Sequence, residues 1–443
     1  METPIFDFVS AYARGGKLRL HMPGHKGQGP LGPENLDITE VTGADSLYAA
    51  EGIIARSEEH ASALFGKRTF YSTEGSSHCI RAMLYLVSTQ RRRERPLILA
   101  GRNVHKAFVT AAVLMDADIR WLWPAEESSY LSCPVDGRML EKTLDAMAEL
   151  PDAVYVTSPD YLGNTLDIRA LAEVCHKRGI LLLVDNAHGA YLHFLPQSRH
   201  PMDLGADLCC DSAHKTLPVL TGGAYLHLSE RMAEFMGPRV RDALALFGST
   251  SPSYLILQSL DLANRYLEDY PRRLADFSGE TAALKERLTD FGYRLQGDEP
   301  LKITIRAGEY GYTGEALARL LGEQGIEPEF ADPDFLVLML TPEIGTEGLK
   351  TLERALLSIP RKPEINTQTP GFSMPHRVMS PRQAMMSPQE TIYVEESRGR
   401  ILAAVTVGCP PAVPILVCGE EIDENAIKCF RYYGIKTCTV VKD

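Results

Sequence analysis

The sequence predicts an α/β protein: a large domain on a mostly parallel sheet covered by helices on both faces, with smaller α+β units toward the C-terminus. Three observations carry this expectation. Apolar runs of strand length alternate with segments of helical period from residue 57 to residue 211. A helical pattern without strands then extends from Ser253 to Leu288. After it, two further strand runs flank one more helical segment.

Residues 1–35 are rich in Gly and Pro, as in Arg14-Gly15-Gly16-Lys17 and His21-Met22-Pro23-Gly24-His25-Lys26-Gly27. They read as a wrapping arm without long regular elements. Helical spacing over Ser57–Phe65 precedes a short strand at Thr69–Ser72, and a Gly-Ser-Ser turn opens a helix over His78–Ser88. Strands are then expected at Pro96–Ala100, Ile119–Leu122, Ala153–Thr157, Ile180–Asp185 and Ala206–Asp211. Helices are expected between them at Lys106–Leu114, Met139–Leu150 and Ile168–Arg178. The long helical stretch from Ser253 should break near Pro271. Strands at Leu301–Ile305 and Phe335–Leu340 flank a helix near Gly314–Gln324. A Pro-, Ser-, Met- and Gln-rich segment follows, then two apolar strands at Ile401–Val407 and Val413–Val417, a helix and a final strand. The expected organisation is an arm over 1–35, a major domain over 36–255, a small α+β domain over 256–360, a linker over 361–390 and an α+β subdomain over 391–443.

Composition narrows the class. The chain has 443 residues, of which 44% are hydrophobic and 23% charged, as in an ordinary globular protein of two or three domains. A net charge of −12 disfavours a general nucleic-acid partner. No run reaches the roughly 18 apolar residues of a membrane span, and Met1-Glu2-Thr3-Pro4 lacks the basic flank of a signal peptide. Nine cysteines without a CxxC spacing argue against a disulfide framework and a structural zinc site, so no metal is expected and a reducing cytoplasm fits best.

The chemistry-bearing residues gather at the ends of predicted strands, where open α/β sheets bind ligands. Lys215, in Ser212-Ala213-His214-Lys215-Thr216, lies thirty residues past Asp185, which ends an apolar run. A lysine after small polar residues, downstream of a strand ending in aspartate, suggests a Schiff base with pyridoxal phosphate, with the aspartate facing the pyridinium nitrogen. The plainer alternatives are a surface lysine and a capping or metal-binding aspartate. Ala187 would leave room for a flat ring, and His188 could reach its edge. Glu74-Gly75-Ser76-Ser77-His78 before a helix is a candidate anion site, or only an N-cap. His105, after the strand ending at Ala100, could stack on the ring or cap the next helix.

Together these residues resemble the ornithine/lysine/arginine decarboxylase family in its short form. The resemblance runs through His21–Gly27, Asp37-Ile38-Thr39-Glu40, Leu64-Phe65-Gly66, Arg102-Asn103-Val104-His105-Lys106, Val184-Asp185-Asn186-Ala187-His188-Gly189, Ser212–Pro218, Thr250-Ser251-Pro252-Ser253-Tyr254 and the block from Gly399 to Glu420. It implies the aspartate aminotransferase fold (fold type I), with a seven-stranded type of sheet, and pyridoxal 5'-phosphate as cofactor. It implies Lys215 as the Schiff-base lysine, Asp185 as the pyridinium partner and His105 as the stacking residue. Ser76, Ser77, Ser212 and His214 would hold the phosphate, with His214 also near the chemistry. Ser251 would approach the phosphate of a neighbouring subunit, which implies at least a homodimer.

Several positions depart from the family pattern. Leu220-Thr221-Gly222-Gly223-Ala224 replaces a Leu-Thr-Gln-Thr/Ser-Ala run, and Ala403-Ala404 replaces an Ala-Glu pair. Gly408-Cys409-Pro410-Pro411-Ala412 replaces Pro-Tyr-Pro-Pro-Gly, Val104 stands where Cys is common, and Asp160 replaces an uncharged residue. The cofactor set is intact. The expected function is decarboxylation of arginine, lysine or ornithine to an amine, as in polyamine synthesis. Alternatives are another fold type I reaction, such as transamination or elimination, a non-catalytic paralogue, or a phosphate-binding α/β protein that uses no pyridoxal.

Overall fold

A computed structural model describes residues 1–90, 93–124, 129–365, 369–371, 374–404 and 412–443. In chain order, α1 (Pro4–Arg14) is followed by α2 (Ile53–Phe65), β1 (Arg68–Ser72) and α3 (Gly75–Thr89). Then come β2 (Leu97–Gly101), α4 (Lys106–Leu114), β3 (Asp118–Leu122), α5 (Gly137–Ala146), β4 (Ala153–Thr157), α6 (Ile168–His176) and β5 (Leu181–Asp185). The next elements are β6 (Leu208–Asp211), α7 (Ala213–Thr216), β7 (Ala224–Leu228), α8 (Glu230–Phe247), α9 (Tyr254–Leu267) and α10 (Tyr270–Phe291). The remainder holds β8 (Leu295–Gln296), β9 (Lys302–Arg306), α11 (Gly314–Gly322), β10 (Phe330–Ala331), β11 (Phe335–Met339), α12 (Gly345–Ser358), α13 (Pro381–Met386), β12 (Gln389–Tyr393), α14 (Glu424–Tyr432) and β13 (Thr437–Val441).

The large sheet has seven strands in the order β1-β7-β6-β5-β4-β2-β3. The chain divides into two compact units, residues 1–90 with 175–273 and residues 91–174 with 274–443.

In the first unit β5 and β6 run parallel, and β7 runs against both β6 and β1. The strands are apolar on both faces because both are covered: Leu183, Val184, Leu208, Leu226 and Leu228 are fully buried. Ser229 and Ser253 cap α8 and α9, each accepting a hydrogen bond from a first-turn amide. The break in the long helical stretch falls between Leu267 and Tyr270, just ahead of Pro271. Strand β7 and helix α8 were not expected from the sequence. The run Ala224-Tyr225-Leu226-His227-Leu228 is only five residues long, and α8 carries Pro238 in its interior.

The arm is where expectation and structure part. Residues 4–14 form an 11-residue helix rather than an irregular arm. Pro4 presets the first turn. The amides of Ile5 and Phe6 both donate to Asp261 Oδ2 at 2.9 Å, and Asp261 is itself fully buried. Ile5 and Val9 are buried too, so α1 is held by tertiary contacts that local composition does not register.

In the second unit β2 lies parallel to both β3 and β4. A separate four-stranded antiparallel sheet follows the order β10-β11-β9-β8, and β12 pairs antiparallel with β13. Tyr293 and Tyr310 stack at 3.9 Å between centroids, and their hydroxyls donate to the carbonyls of Leu356 and Ile359. This pins the end of α12. The two apolar strands expected near the C-terminus do not form among the described residues. Ile401 and Leu402 make only isolated bridges, Val413–Val417 is irregular, and residues 405–411 lie outside the described residues. The reason is a competing acceptor demand. Buried Arg102 donates to the carbonyls of Pro414 and Ile415 and to Glu420 Oε2 at 3.0 Å, so those carbonyls serve a guanidinium instead of a ladder. Trp121 and Trp123 flank the same guanidinium at 5.1 and 5.5 Å.

These two anchors yield three predictions. Asp261→Ala orphans two first-turn amides, at about 1–3 kcal/mol each; hydrogen exchange at Ile5 and Phe6 should accelerate, and trypsin should cut at Arg14. Burial pushes the Asp261 carboxyl up to about 6. Its proton-linked stabilisation is therefore complete below about pH 4 and lost as pH rises through about 6, a slope that Asp261→Asn should remove from a pH series of unfolding midpoints. For the buried ion pair, Glu420→Leu alone should cost about 3–5 kcal/mol, and Arg102→Met with Glu420→Leu should recover most of it in denaturant unfolding.

Candidate active site

Asp185 closes β5 and is 2% exposed. Its Oδ1 accepts from the amide of Ala187 at 3.2 Å and from Cys210 Sγ at 3.7 Å. Ala187, two residues along, is buried, and its backbone amide is the donor to that carboxylate. Strand pairing sets Asp185 directly across from Cys210 on β6.

Lys215 sits on α7, the short helix after β6, and is half-buried. Its Nζ lies 3.1 Å from Nε2 of buried His188. The turn after β5 thus brings His188, three residues past Asp185, onto the lysine amine.

At the start of α3, Ser212 Oγ donates to Ser76 Oγ at 2.8 Å, and both are buried. Ser77 occupies the same first turn and is half-buried. The His214 ring donates from Nδ1 to the Gly223 carbonyl at 2.9 Å, and burial pushes its pKa below the ordinary value. Gly75 has φ +73° and donates its amide to the Gly222 carbonyl at 2.7 Å; a Cβ on it would stand 4.0 Å from His214 Cε1. Two serines, a histidine ring and a helix N-terminus therefore meet at one place. His78 belongs to the frame: it is fully buried and bridges Ser72 Oγ and the Leu244 carbonyl.

Two further expected site residues have local hydrogen-bonding roles. His105, in the second unit, is the N-cap of α4, its Nδ1 accepting from the amide of Ala107 at 3.1 Å. Ser251 is exposed, and its amide donates to Ser249 Oγ.

The departures from the family pattern acquire physical content. Gly222 has φ +101°, and a Cβ there would meet the Thr73 carbonyl oxygen at 2.7 Å; at Gly223 it would meet Val219 Cγ1 at 2.2 Å. This glycine pair lets the loop after Lys215 lie against the entry to α3. Asp160 is buried and accepts from the amides of Leu162 and Asn164 and from Asn164 Nδ2, so it caps its own turn. Val104 and Ala403 are fully buried, and Ala404 is half-buried. Of the run Gly408–Ala412, only Ala412 is within the described residues. Sequence reasoning assigned no role to Asn186 or Asp211. Asn186 Nδ2 donates to the buried Asp211 carboxylate at 2.7 Å. The signal available was an ionisable residue, Asp211, closing an otherwise apolar strand.

A profile described as Orn/Lys/Arg decarboxylase, major domain, matches residues 3–289, and one for the C-terminal domain matches residues 364–438. The chain belongs to the Orn/Lys/Arg decarboxylase family. It is an amino-acid decarboxylase whose cofactor is pyridoxal 5'-phosphate. The arginine decarboxylase of Bacillus subtilis (strain 168) is 30% identical over 465 residues, covering 96% of this chain and 92% of that one. The arginine decarboxylase of Halalkalibacterium halodurans is also 30% identical, over 97% and 93%. Among solved structures, the Francisella novicida lysine decarboxylase LdcF superposes with a TM-score of 0.81 at 16% identity, covering 99% of this chain and 81% of that one. The constitutive lysine decarboxylase of E. coli gives 0.76 at 19%, over 100% and 82%. These structural likenesses establish the shared fold.

The glycine pair is testable within the decarboxylase. Gly222→Ala places a side chain against backbone at a positive φ, and should lower unfolding free energy by about 1–3 kcal/mol. Gly66→Ala, also at positive φ but facing open space, should cost less, about 1 kcal/mol.

Proposed function

We propose that this decarboxylase removes the α-carboxyl group of a basic amino acid, arginine first among arginine, lysine and ornithine, to give the corresponding amine, a polyamine precursor. The observation that carries the reading is one constellation inside the first unit. A buried carboxylate ends β5, a lysine amine lies 3.1 Å from His188, and the Ser76–Ser212 hydroxyl pair sits at a helix N-terminus. The preference for arginine rests on the two Bacillus-type relatives named above.

The donor set suits a phosphorylated pyridine. Ser76, Ser77, Ser212, His214 and the first amides of α3 offer the hydroxyl and N–H donors that a phosphate requires. Asp185 would face the ring nitrogen, because a carboxylate buried at a strand end demands a cationic or donor partner. Ala187 leaves space for the ring, and His105 would lie over its face. When bound, pyridoxal phosphate supplies the electron sink for cleavage of the bond to the carboxyl group.

The chain's own residues supply proton control and orientation. Lys215 must present a neutral amine to react. His188 Nε2, 3.1 Å away, is placed to take a proton from Lys215 Nζ and to return it. The same Nζ, or His188, would deliver the proton that replaces the departing carboxyl group. Lowering of the His214 pKa by burial favours a neutral ring, so His214 acts as a hydrogen-bond partner rather than a fixed cation. Ser251 would reach the phosphate of a partner subunit, making the working unit at least a homodimer. The major domain over 36–255 would hold the cofactor. Cytoplasmic residence is part of the same reading. No helix among the described residues is long and apolar enough to cross a membrane.

The test is direct. The reconstituted protein should release CO2 and the matching amine from arginine, and borohydride reduction should leave a pyridoxyl adduct on Lys215 by peptide mass spectrometry. Lys215→Ala should lose the adduct and roughly 10³-fold or more in rate. Keto-acid formation without CO2 from any of the three substrates would overturn the reading. Sedimentation should give a dimer or larger.

A further inference from the structure

On the face of the sheet opposite Asp185 lies a buried cluster that the reaction does not use. Its centre is Asp211, the last residue of β6, with no exposed surface. Its Oδ2 accepts from His200 Nε2 and from His227 Nε2, both at 3.0 Å. Its Oδ1 accepts from Asn186 Nδ2 at 2.7 Å and faces Cys209 Sγ at 3.7 Å. His200 Nδ1 accepts from the amide of Met202, which places the ring proton on Nε2, toward Asp211. His227 Nδ1 lies 2.9 Å from Thr69 Oγ1. Burial alone would raise the Asp211 pKa, but the two imidazoles outweigh it and hold the carboxyl well below the usual range.

The cluster reaches the candidate site along two short paths. Asn186 follows Asp185, and alternation along a strand end sends the two side chains to opposite faces. The amide of Asn186 donates to the Cys210 carbonyl at 3.0 Å, and its side chain is locked by Asp211. Gly189 closes over the same side chain, since a Cβ there would stand 2.0 Å from Asn186 Oδ1. Ser212, which hydrogen-bonds Ser76, is the residue directly after Asp211. One carboxylate therefore fixes both the strand end that carries Asp185 and the start of the turn that carries Ser212.

We propose that Asp211 is a positioning residue for the cofactor cleft, its carboxylate acting through Asn186 to aim Asp185 and through the chain to place Ser212. The proposal rests on the assignment of Asp185 and Ser212 made above.

His200, Cys209 and Asp211 also have donor atoms within 4.8 Å of one another, a zinc-like set. Each of these atoms already has a hydrogen-bond partner inside the cluster, and burial keeps the Cys209 thiol far from ionising. The geometry points to a proton-bonded support instead.

The experiment compares wild type, Asp211→Asn and Asn186→Ala by titration with pyridoxal phosphate, by the absorbance spectrum of the loaded protein from pH 6 to 9 and by thermal unfolding. Asp207→Asn is the control: Asp207 is an equally buried aspartate paired with His176 and Arg231, with no link to Asn186. Loss of cofactor affinity by about tenfold or more, the scale for removing an outer partner of a binding group, together with a shifted absorbance band in Asp211→Asn and Asn186→Ala, supports the proposal, provided Asp207→Asn lowers only the unfolding midpoint. If Asp211→Asn does not fold, Asn186→Ala carries the test, because it removes the link and leaves the carboxylate with its histidines. Wild-type affinity and spectrum in the folded variants would overturn the proposal, as would one zinc ion per chain by native mass spectrometry. Failure of wild type to form the Lys215 adduct would instead sink the underlying assignment, and this proposal with it.

Discussion

A carboxylate held at the end of an apolar strand must be answered by donors, and the first unit is organised around that demand. Asp185, Asp207 and Asp211 all lie at the edges of β5 and β6, and all three are at most 2% exposed. Each has a different solution. Asp207 takes an amide, a histidine and an arginine. Asp211 takes two histidines and an asparagine. Asp185 takes an amide and a thiol, both neutral donors, among its partners. In the site as proposed, the pyridine nitrogen brings a charged partner to Asp185, and so the affinity of the cleft and the chemistry of the ring have one electrostatic origin.

The same constraint shapes the second unit without serving chemistry. Arg102 and Glu420, 318 residues apart, form a buried pair that also engages two backbone carbonyls. Lys302 and Glu299 form another, at 3.0 Å and 1% exposure each. Such pairs are weak evidence of stability, because desolvation offsets most of the attraction, but they are strongly directional. In Arg102 that directionality decides local structure, drawing Pro414 and Ile415 out of any ladder.

Close backbone approach is the second device. The entry to α3 and the loop after Lys215 touch through Gly75 and Gly222, both at positive φ. A side chain at Gly222 would strike the Thr73 carbonyl, so the replacement of the family's Gln-Thr/Ser by Gly-Gly belongs to how this loop packs. Asp160 is a comparable case. A new charge in a family motif suggests altered specificity, yet here it closes a turn with its own neighbours.

The sequence by itself determined the alternation of strands and helices from β1 to β6, because period and apolarity are local properties that burial on both faces makes unmistakable. It also determined the family, through short motifs whose spacing follows from strand-to-turn geometry, and from the same motifs came the site residues on which the proposed function rests. Tertiary structure alone decided the rest. Helix α1 exists because Asp261, some 250 residues away, accepts its first amides. Val413–Val417 fails to become a strand because a distant guanidinium claims its carbonyls. Asp211 and Asn186 acquire a role only when β5 and β6 lie side by side. In each case the partner of a buried polar group is remote in sequence, and local pattern carries no record of a long-range hydrogen bond.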